Sequence, residues 1–191
     1  RIVFEDAKTY FSTHNARYDI IVSEPSNPWV SGVSSLFTTE FYRHVRRYLN
    51  PGGVMVQWFQ LYEIDASLLA SVMRALGDEF PHYAVYAPSD HDLLIVASAD
   101  ALAPQPHAEV FAPPMLAQEL RAVHVLVPGD CDARYLGDRA TLEPLFESYG
   151  MPANSDYYPV LDLNAARHRF TDKSASDVVA TACSISAPRS S

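Results

Sequence analysis

The apolar positions of the first hundred residues follow two rhythms. Short continuous runs at Arg1–Phe4, Asp19–Ser23 and Val54–Phe59 predict strands. Asp19–Ser23 holds two isoleucines and a valine, the composition of a strand buried on both faces. Helical spacing lies between these runs. Ala7–Thr13 reads as a short helix. Val30–Phe37, with Gly32 and several serines, reads as a loop. Thr38 or Thr39 caps a helix to about Leu49, since Phe41, Tyr42, Val45, Tyr48 and Leu49 recur on one face. Asn50-Pro51-Gly52-Gly53 ends it. Asp65 caps a second helix that puts Leu68, Leu69, Val72, Met73 and Leu76 on one side and closes at Gly77 and Pro81. His82–Tyr86 and Leu93–Ala97 predict two more strands joined by a polar turn at Pro88–Asp92.

Strand and helix alternate three times before two successive strands. That order predicts an α/β fold: a mainly parallel sheet, helices on both faces and an antiparallel edge strand. The pattern weakens beyond Asp100. Ala103–Pro114 carries four of the 14 prolines and reads as a linker, with helices expected at Pro114–Val123 and Thr141–Tyr149. Residues 1–100 therefore read as one domain, 101–173 as an extension packing on it, and 174–191, small and polar, as a loosely ordered tail. The opening Arg1-Ile2-Val3-Phe4 reads as the inside of an element, which suggests a piece of a longer protein.

Composition narrows the partners. A net charge of −9 argues against nucleic acid and against an anionic membrane surface, and suits a neutral or cationic ligand. Cys131 and Cys183 lie far apart with no CxxC or Cys/His cluster, so neither a metal site nor a disulfide framework is expected. No apolar run approaches the roughly 18 residues of a bilayer span, which predicts a soluble, cytoplasmic domain.

Candidate chemistry centres on Tyr18–Trp29, YDIIVSEPSNPW. Pro25 and Pro28 forbid a central strand and force an extended loop. Glu24 and Asn27 sit in that loop, just past the carboxyl end of a strand, where open α/β sheets bind ligands. Glu24 reads as functional against the alternative of a solvated loop glutamate. Asn27 equally suits an Asx turn before Pro28. Asp6 follows the opening strand and suits a helix cap or a fixed hydrogen-bond acceptor. Gln57, inside an apolar strand, needs a polar partner; Trp58 and Gln60 beside it are weaker candidates. Asp156 anchors a turn or faces a site, Tyr157 and Tyr158 suit a core or a cation-binding wall, and His91 reads as a solvated turn residue.

Several of these pieces fall in a telling order: Asp6-Ala7, Glu24-Pro25-Ser26-Asn27-Pro28, Leu36-Phe37-Thr38-Thr39-Glu40-Phe41-Tyr42, Leu49-Asn50-Pro51-Gly52-Gly53 and Val56-Gln57. The series resembles the spermidine/spermine synthase family, the aminopropyltransferases, over about residues 1 to 100. Asn154-Ser155-Asp156 through Asp162 resembles a segment of the branch fused to a membrane domain, as does the wording of the Glu24 loop. The resemblance implies a methyltransferase-like Rossmann fold lacking its first strands. It also implies transfer of an aminopropyl group from decarboxylated S-adenosylmethionine to an amine such as putrescine. It makes Glu24 the general base or amine-orienting group and Asp6 and Ala7 the adenine site. Asn27, Gln57 and Asp156 fall on the amine side. Glu24 is one methylene longer than the family's usual aspartate, and Asn27 replaces a second aspartate. The family's glycine-rich cofactor turn does not precede Asp6. A truncated sheet predicts pairing with another copy, and the parent protein is expected to be attached to the inner membrane. Two alternatives stay open: an S-adenosylmethionine-dependent methyltransferase, and a non-catalytic ligand-sensing or assembly domain.

Overall fold

The structure, a computed structural model, describes residues 2–28, 30, 32–102, 107–168 and 174–186. Its elements run α1 (Ala7–Thr13), β1 (Tyr18–Ser23), a 3-10 helix at Val33–Phe37, α2 (Thr39–Tyr48), β2 (Leu49–Gln60), α3 (Ala66–Glu79), β3 (His82–Ser89) and β4 (Asp92–Ser98). There follow a 3-10 helix at Ala108–Phe111, α4 (Pro114–Ala122), α5 (Pro128–Asp132), β5 (Tyr135–Asp138), α6 (Arg139–Ser148), α7 (Val160–His168) and α8 (Asp177–Ser186).

The strands form one sheet in the order β1-β2-β4-β3-β5. β1 and β2 pair in parallel, as a helical crossover between them requires. β4 folds back from β3 and inserts between β2 and β3, antiparallel to both. The terminal strand pair is therefore interior on one side, and the antiparallel edge belongs to β5, a strand the sequence pattern did not predict. Gly137 hides β5, because its glycine and its four-residue length give no alternating apolar signal.

Helix boundaries follow their caps. Thr38 accepts from Phe41 N at 3.2 Å and starts α2. Asp65 accepts from Ser67 N at 2.8 Å and starts α3. Phe41, Tyr42 and Val45 from α2 and Leu68, Leu69, Val72, Met73 and Leu76 from α3 are buried against Met55, Phe59, Leu93 and Ile95 of the sheet. Each such side chain stabilises the fold by about 1.5–3 kcal/mol. Phe37 meets Phe59 edge-on at 5.4 Å. Asn50–Gly53, expected as a turn, forms the first, irregular part of β2. Gly52 is favoured by its φ of 74°, and Gly53 by crowding, since a Cβ there would stand 2.9 Å from the Asn50 carbonyl oxygen and 3.1 Å from that of Tyr18 in β1.

The sheet is mainly antiparallel, with one parallel pairing and three antiparallel ones, where the alternation of strands and helices predicted a mainly parallel sheet; the insertion of β4 between β2 and β3 is the reason. Three further expectations are corrected. Ile2–Phe4 is not a strand, and Ile2 and Phe4 are 83% and 98% exposed. An extended segment without a neighbouring strand to pair its backbone groups does not enter a sheet. β1 is not buried on both faces: Ile20 is 61% and Val22 64% exposed, because β1 is an edge of the sheet and no described helix covers that face. The chain after Ser174, expected to be loose, forms α8, and its Ala175, Val178 and Ala182 are buried. Spacing by three and four residues brings these small apolar side chains onto one face against β5 and α6. Arg1, Trp29, part of the expected linker (103–106) and the end of the tail (187–191) lie outside the described residues.

Candidate active site

A cleft of about 510 Å³ runs along β1 and reaches past its carboxyl end to Pro25. Ile20 to Pro25 form one wall. Ala7, Tyr10 and Phe11 of α1 form the other, and Val3, Glu5, Leu36 and Phe41 complete the lining. Position explains the composition. β1 lends its open edge, and α1 lends the face made by residues three and four apart. Among the described residues the lining carries two carboxylates, Glu5 and Glu24, and no basic side chain.

Glu24 leaves β1 exposed to solvent at this end, with Pro25 beside it in the lining. Ala7 lines the opposite wall. Asp6, between the lining residues Glu5 and Ala7, is not itself in the lining. Its carboxylate caps α1, accepting from Thr9 N at 2.9 Å and Thr9 Oγ1 at 3.1 Å. The Thr9 amide, and then its hydroxyl, hold the Asp6 carboxyl below the usual carboxylate range. Asn27 is half-buried, and its carbonyl accepts from Val30 N at 2.9 Å.

Gln57 is fully buried one strand behind Glu24. Its Nε2 donates to the Ser23 carbonyl at 3.2 Å and to the Trp58 carbonyl at 2.9 Å. Its Oε1 has no partner among the described residues. The partners that an apolar strand demands of Gln57 are thus two backbone carbonyls, one of them that of Ser23, the residue preceding Glu24. Trp58 donates from Nε1 to Asp92 at 3.1 Å, and Gln60 is buried with its Nε2 donating to the Tyr62 carbonyl at 3.3 Å.

Asp156 lies outside the cleft lining and pairs with Lys8 at 3.0 Å. Tyr157 and Tyr158 are exposed, so neither takes the core role open to them. His91 is exposed in the β3–β4 turn. Cys131 and Cys183 are free thiols. Among the described residues no group of three or more His, Cys, Asp or Glu side chains is arranged to hold a metal, and no helix is long and apolar enough to cross a membrane.

The cleft contains residues that sequence reasoning passed over. Glu5, Tyr10, Phe11 and Tyr18 line it, and the hydroxyls of Tyr10 and Tyr18 stand 3.3 Å apart. Only the spacing of Tyr10 and Phe11 from Ala7 along α1 could have signalled this. Asn154 is the other omission. It is buried, its Nδ2 donates to the Phe37 carbonyl at 2.9 Å, and its Oδ1 accepts from Leu161 N at 3.0 Å.

Comparison with known proteins gives a consistent result. Residues 1–102 match the profile of the spermine/spermidine synthase domain. A polyamine aminopropyltransferase of Korarchaeum cryptofilum (strain OPF8) is 27% identical over 95 residues, covering 48% of this chain and 29% of that protein. A polyamine aminopropyltransferase of Synechococcus sp. (strain JA-2-3B'a(2-13)) is 30% identical over 115 residues, covering 56% of this chain and 37% of that protein. The chain thus spans about a third of the length of these relatives. The crystal structure of a probable spermidine synthase from Corynebacterium glutamicum ATCC 13032 shares the fold, with a TM-score of 0.56 at 20% identity over 82% of this chain and 54% of that one. More than half of the residues fall within the matched profile, and the chain belongs to the spermine/spermidine synthase family.

Proposed function

We propose that the Glu24 cleft is the amine side of an aminopropyl-transfer site. The observation that carries this reading is the lining itself: apolar walls, two carboxylates and no basic side chain among the described residues, at the carboxyl end of β1. Methylene chains bury against Ile20, Val22 and Phe11, while a cationic amine is held by Glu5 and Glu24.

In this reading decarboxylated S-adenosylmethionine supplies the aminopropyl group as co-substrate, and the acceptor is a small diamine such as putrescine. The amine nitrogen, once deprotonated, attacks the methylene carbon next to the sulfonium. A carbon–nitrogen bond forms, the carbon–sulfur bond breaks, and its electron pair returns to sulfur, leaving neutral methylthioadenosine. Glu24 takes the proton from the amine and orients its lone pair. Asp6 and Ala7 receive the adenine side, Asp6 through whatever acceptor capacity its cap to Thr9 leaves free. Asn27 supplies a neutral hydrogen-bonding group where a second carboxylate would favour a diamine, which fits an acceptor with less charge at that end. Gln57 supports the same site from behind. The open edge of β1 favours pairing with a second copy, and a parent attached to the inner membrane follows from the wording of the Glu24 and Asp156 motifs.

The test is incubation of the chain with decarboxylated S-adenosylmethionine and putrescine, with methylthioadenosine followed by mass spectrometry. Product formation is expected, and Glu24→Gln is expected to lower its rate by about a hundredfold or more. Methyl transfer from intact S-adenosylmethionine, or binding of neither nucleotide by calorimetry, overturns the reading.

A further inference from the structure

α1 separates two environments. Ala7, Tyr10 and Phe11 face the Glu24 cleft. Lys8 and Ser12, one helical turn apart, line a second cavity of about 190 Å³ together with Glu40, His44 and Asp156. Asp156 therefore meets α1 from the side away from the cleft.

The acidic end of this contact is firmly built. Glu40 of α2 accepts from Asp156 N at 2.8 Å and from Ser155 Oγ at 2.9 Å. The adjoining Asn154 is locked to Phe37, Leu161 and Ser71 by its side chain and backbone. The α1 end is not. α1 buries no residue and rests on the ring of Phe11, 5.0 Å from Tyr48 and 6.1 Å from His44, and on the Tyr10 hydroxyl, 3.3 Å from that of Tyr18. Lys8 Nζ reaches both oxygens of Asp156, at 3.1 and 3.0 Å. It is the one ion pair joining α1 to the rest of the molecule among the described residues.

We propose that Lys8 and Asp156 form an electrostatic latch that holds α1 as the wall of the Glu24 cleft. Asp156 is then a positioning residue: it acts on the site through α1 and does not touch the amine. This rests on the proposed amine-transfer reading of the cleft. It separates two roles for Asp156, because an amine bound directly by this carboxylate would compete with Lys8 for it.

Hydrogen–deuterium exchange of the chain tests the latch without any ligand. Lys8→Met and Asp156→Asn are each expected to speed exchange of residues 7–13 by about two- to fivefold, the range for a pair this exposed. The charge swap Lys8→Asp with Asp156→Lys is expected to restore slow exchange. Unchanged exchange in both single variants, or a swap that stays as fast as they are, overturns the proposal. Calorimetric titration with putrescine separates the two roles. The latch predicts equal weakening by Lys8→Met and Asp156→Asn. Weakening by Asp156→Asn alone, with Lys8→Met unchanged or tighter, assigns Asp156 to the amine and overturns it. If the unaltered chain binds neither putrescine nor methylthioadenosine, the cleft reading fails while the exchange result still decides the latch.

Discussion

Asn154 holds Phe37 in place from the far end of the sequence, donating from Nδ2 to its carbonyl at 2.9 Å in a fully buried setting. The same side chain accepts from Leu161 N at 3.0 Å, and the Asn154 carbonyl accepts from Thr39 N at 3.0 Å. One residue, through its side-chain amide and its backbone carbonyl, thus fastens the segment after the Glu24 loop, the start of α2 and the start of α7.

Asn154→Ala leaves the Phe37 carbonyl and the Leu161 amide buried without this partner. At about 1–3 kcal/mol for each stranded group, the variant is expected to lose roughly 3 kcal/mol or more of stability. Urea unfolding followed by circular dichroism checks this, and a loss within about 0.5 kcal/mol, the range of ordinary surface substitutions, would contradict it.

Tyr42 gives the opposite case. Its side chain is completely buried in α2 and its hydroxyl has no partner among the described residues. Burial pushes its ionisation far above the ordinary tyrosine value. Tyr42→Phe removes a desolvated hydroxyl and breaks no hydrogen bond, so it is expected to be neutral or to stabilise by up to about 1 kcal/mol. A clear fall in thermal midpoint would show that the hydroxyl has a partner.

Acid weakens the helix caps in a defined direction. Asp138 accepts from Thr141 Oγ1 at 2.7 Å and Thr141 N at 2.9 Å, and these bonds hold its carboxyl below the ordinary value of 3.8. The unfolded chain therefore takes up this proton first. The stabilisation is complete above the ordinary carboxylate range and is lost as pH falls through 3.8 and below. Asp138→Ala is expected to cost about 1 kcal/mol near neutral pH. The gap between variant and parent melting temperatures should narrow in acid, and a gap of constant size would refute the assignment.

The cleft carboxylates make a charge prediction. Glu5→Gln and Glu24→Gln each remove one negative charge from a lining with no basic side chain among the described residues. Each is expected to weaken putrescine binding by up to about fivefold, the scale of an exposed ion pair. The effect should shrink as salt is raised, because these groups face solvent. Calorimetry at low and high salt measures both, and salt-independent binding would place the amine elsewhere.

Asp65 and the face of Leu68, Leu69, Val72, Met73 and Leu76 were legible in the sequence, because a cap and a period are local properties of a helix. The same holds for α1, α2 and the run that became β1. The position of Glu24 past the end of that strand followed from two prolines, which act on the backbone they occupy. Its neighbours in the cleft did not follow. Whether Asp6 faces the cleft or caps α1 depends on a rotamer that Thr9 decides. Whether Gln57 touches a ligand or the Ser23 carbonyl depends on strand register. Asp156 and Lys8 are 148 residues apart, and no local pattern links them. The sequence by itself determined α1, α2, α3, α4 and α6 and four of the five strands, and that a carboxylate stands just past β1. Only the tertiary structure decided that β4 slides between β2 and β3, that α8 packs on β5, and which polar side chains meet. Those choices are made by contacts between distant segments, whose burial and pairing outweigh the weak preferences of each segment alone.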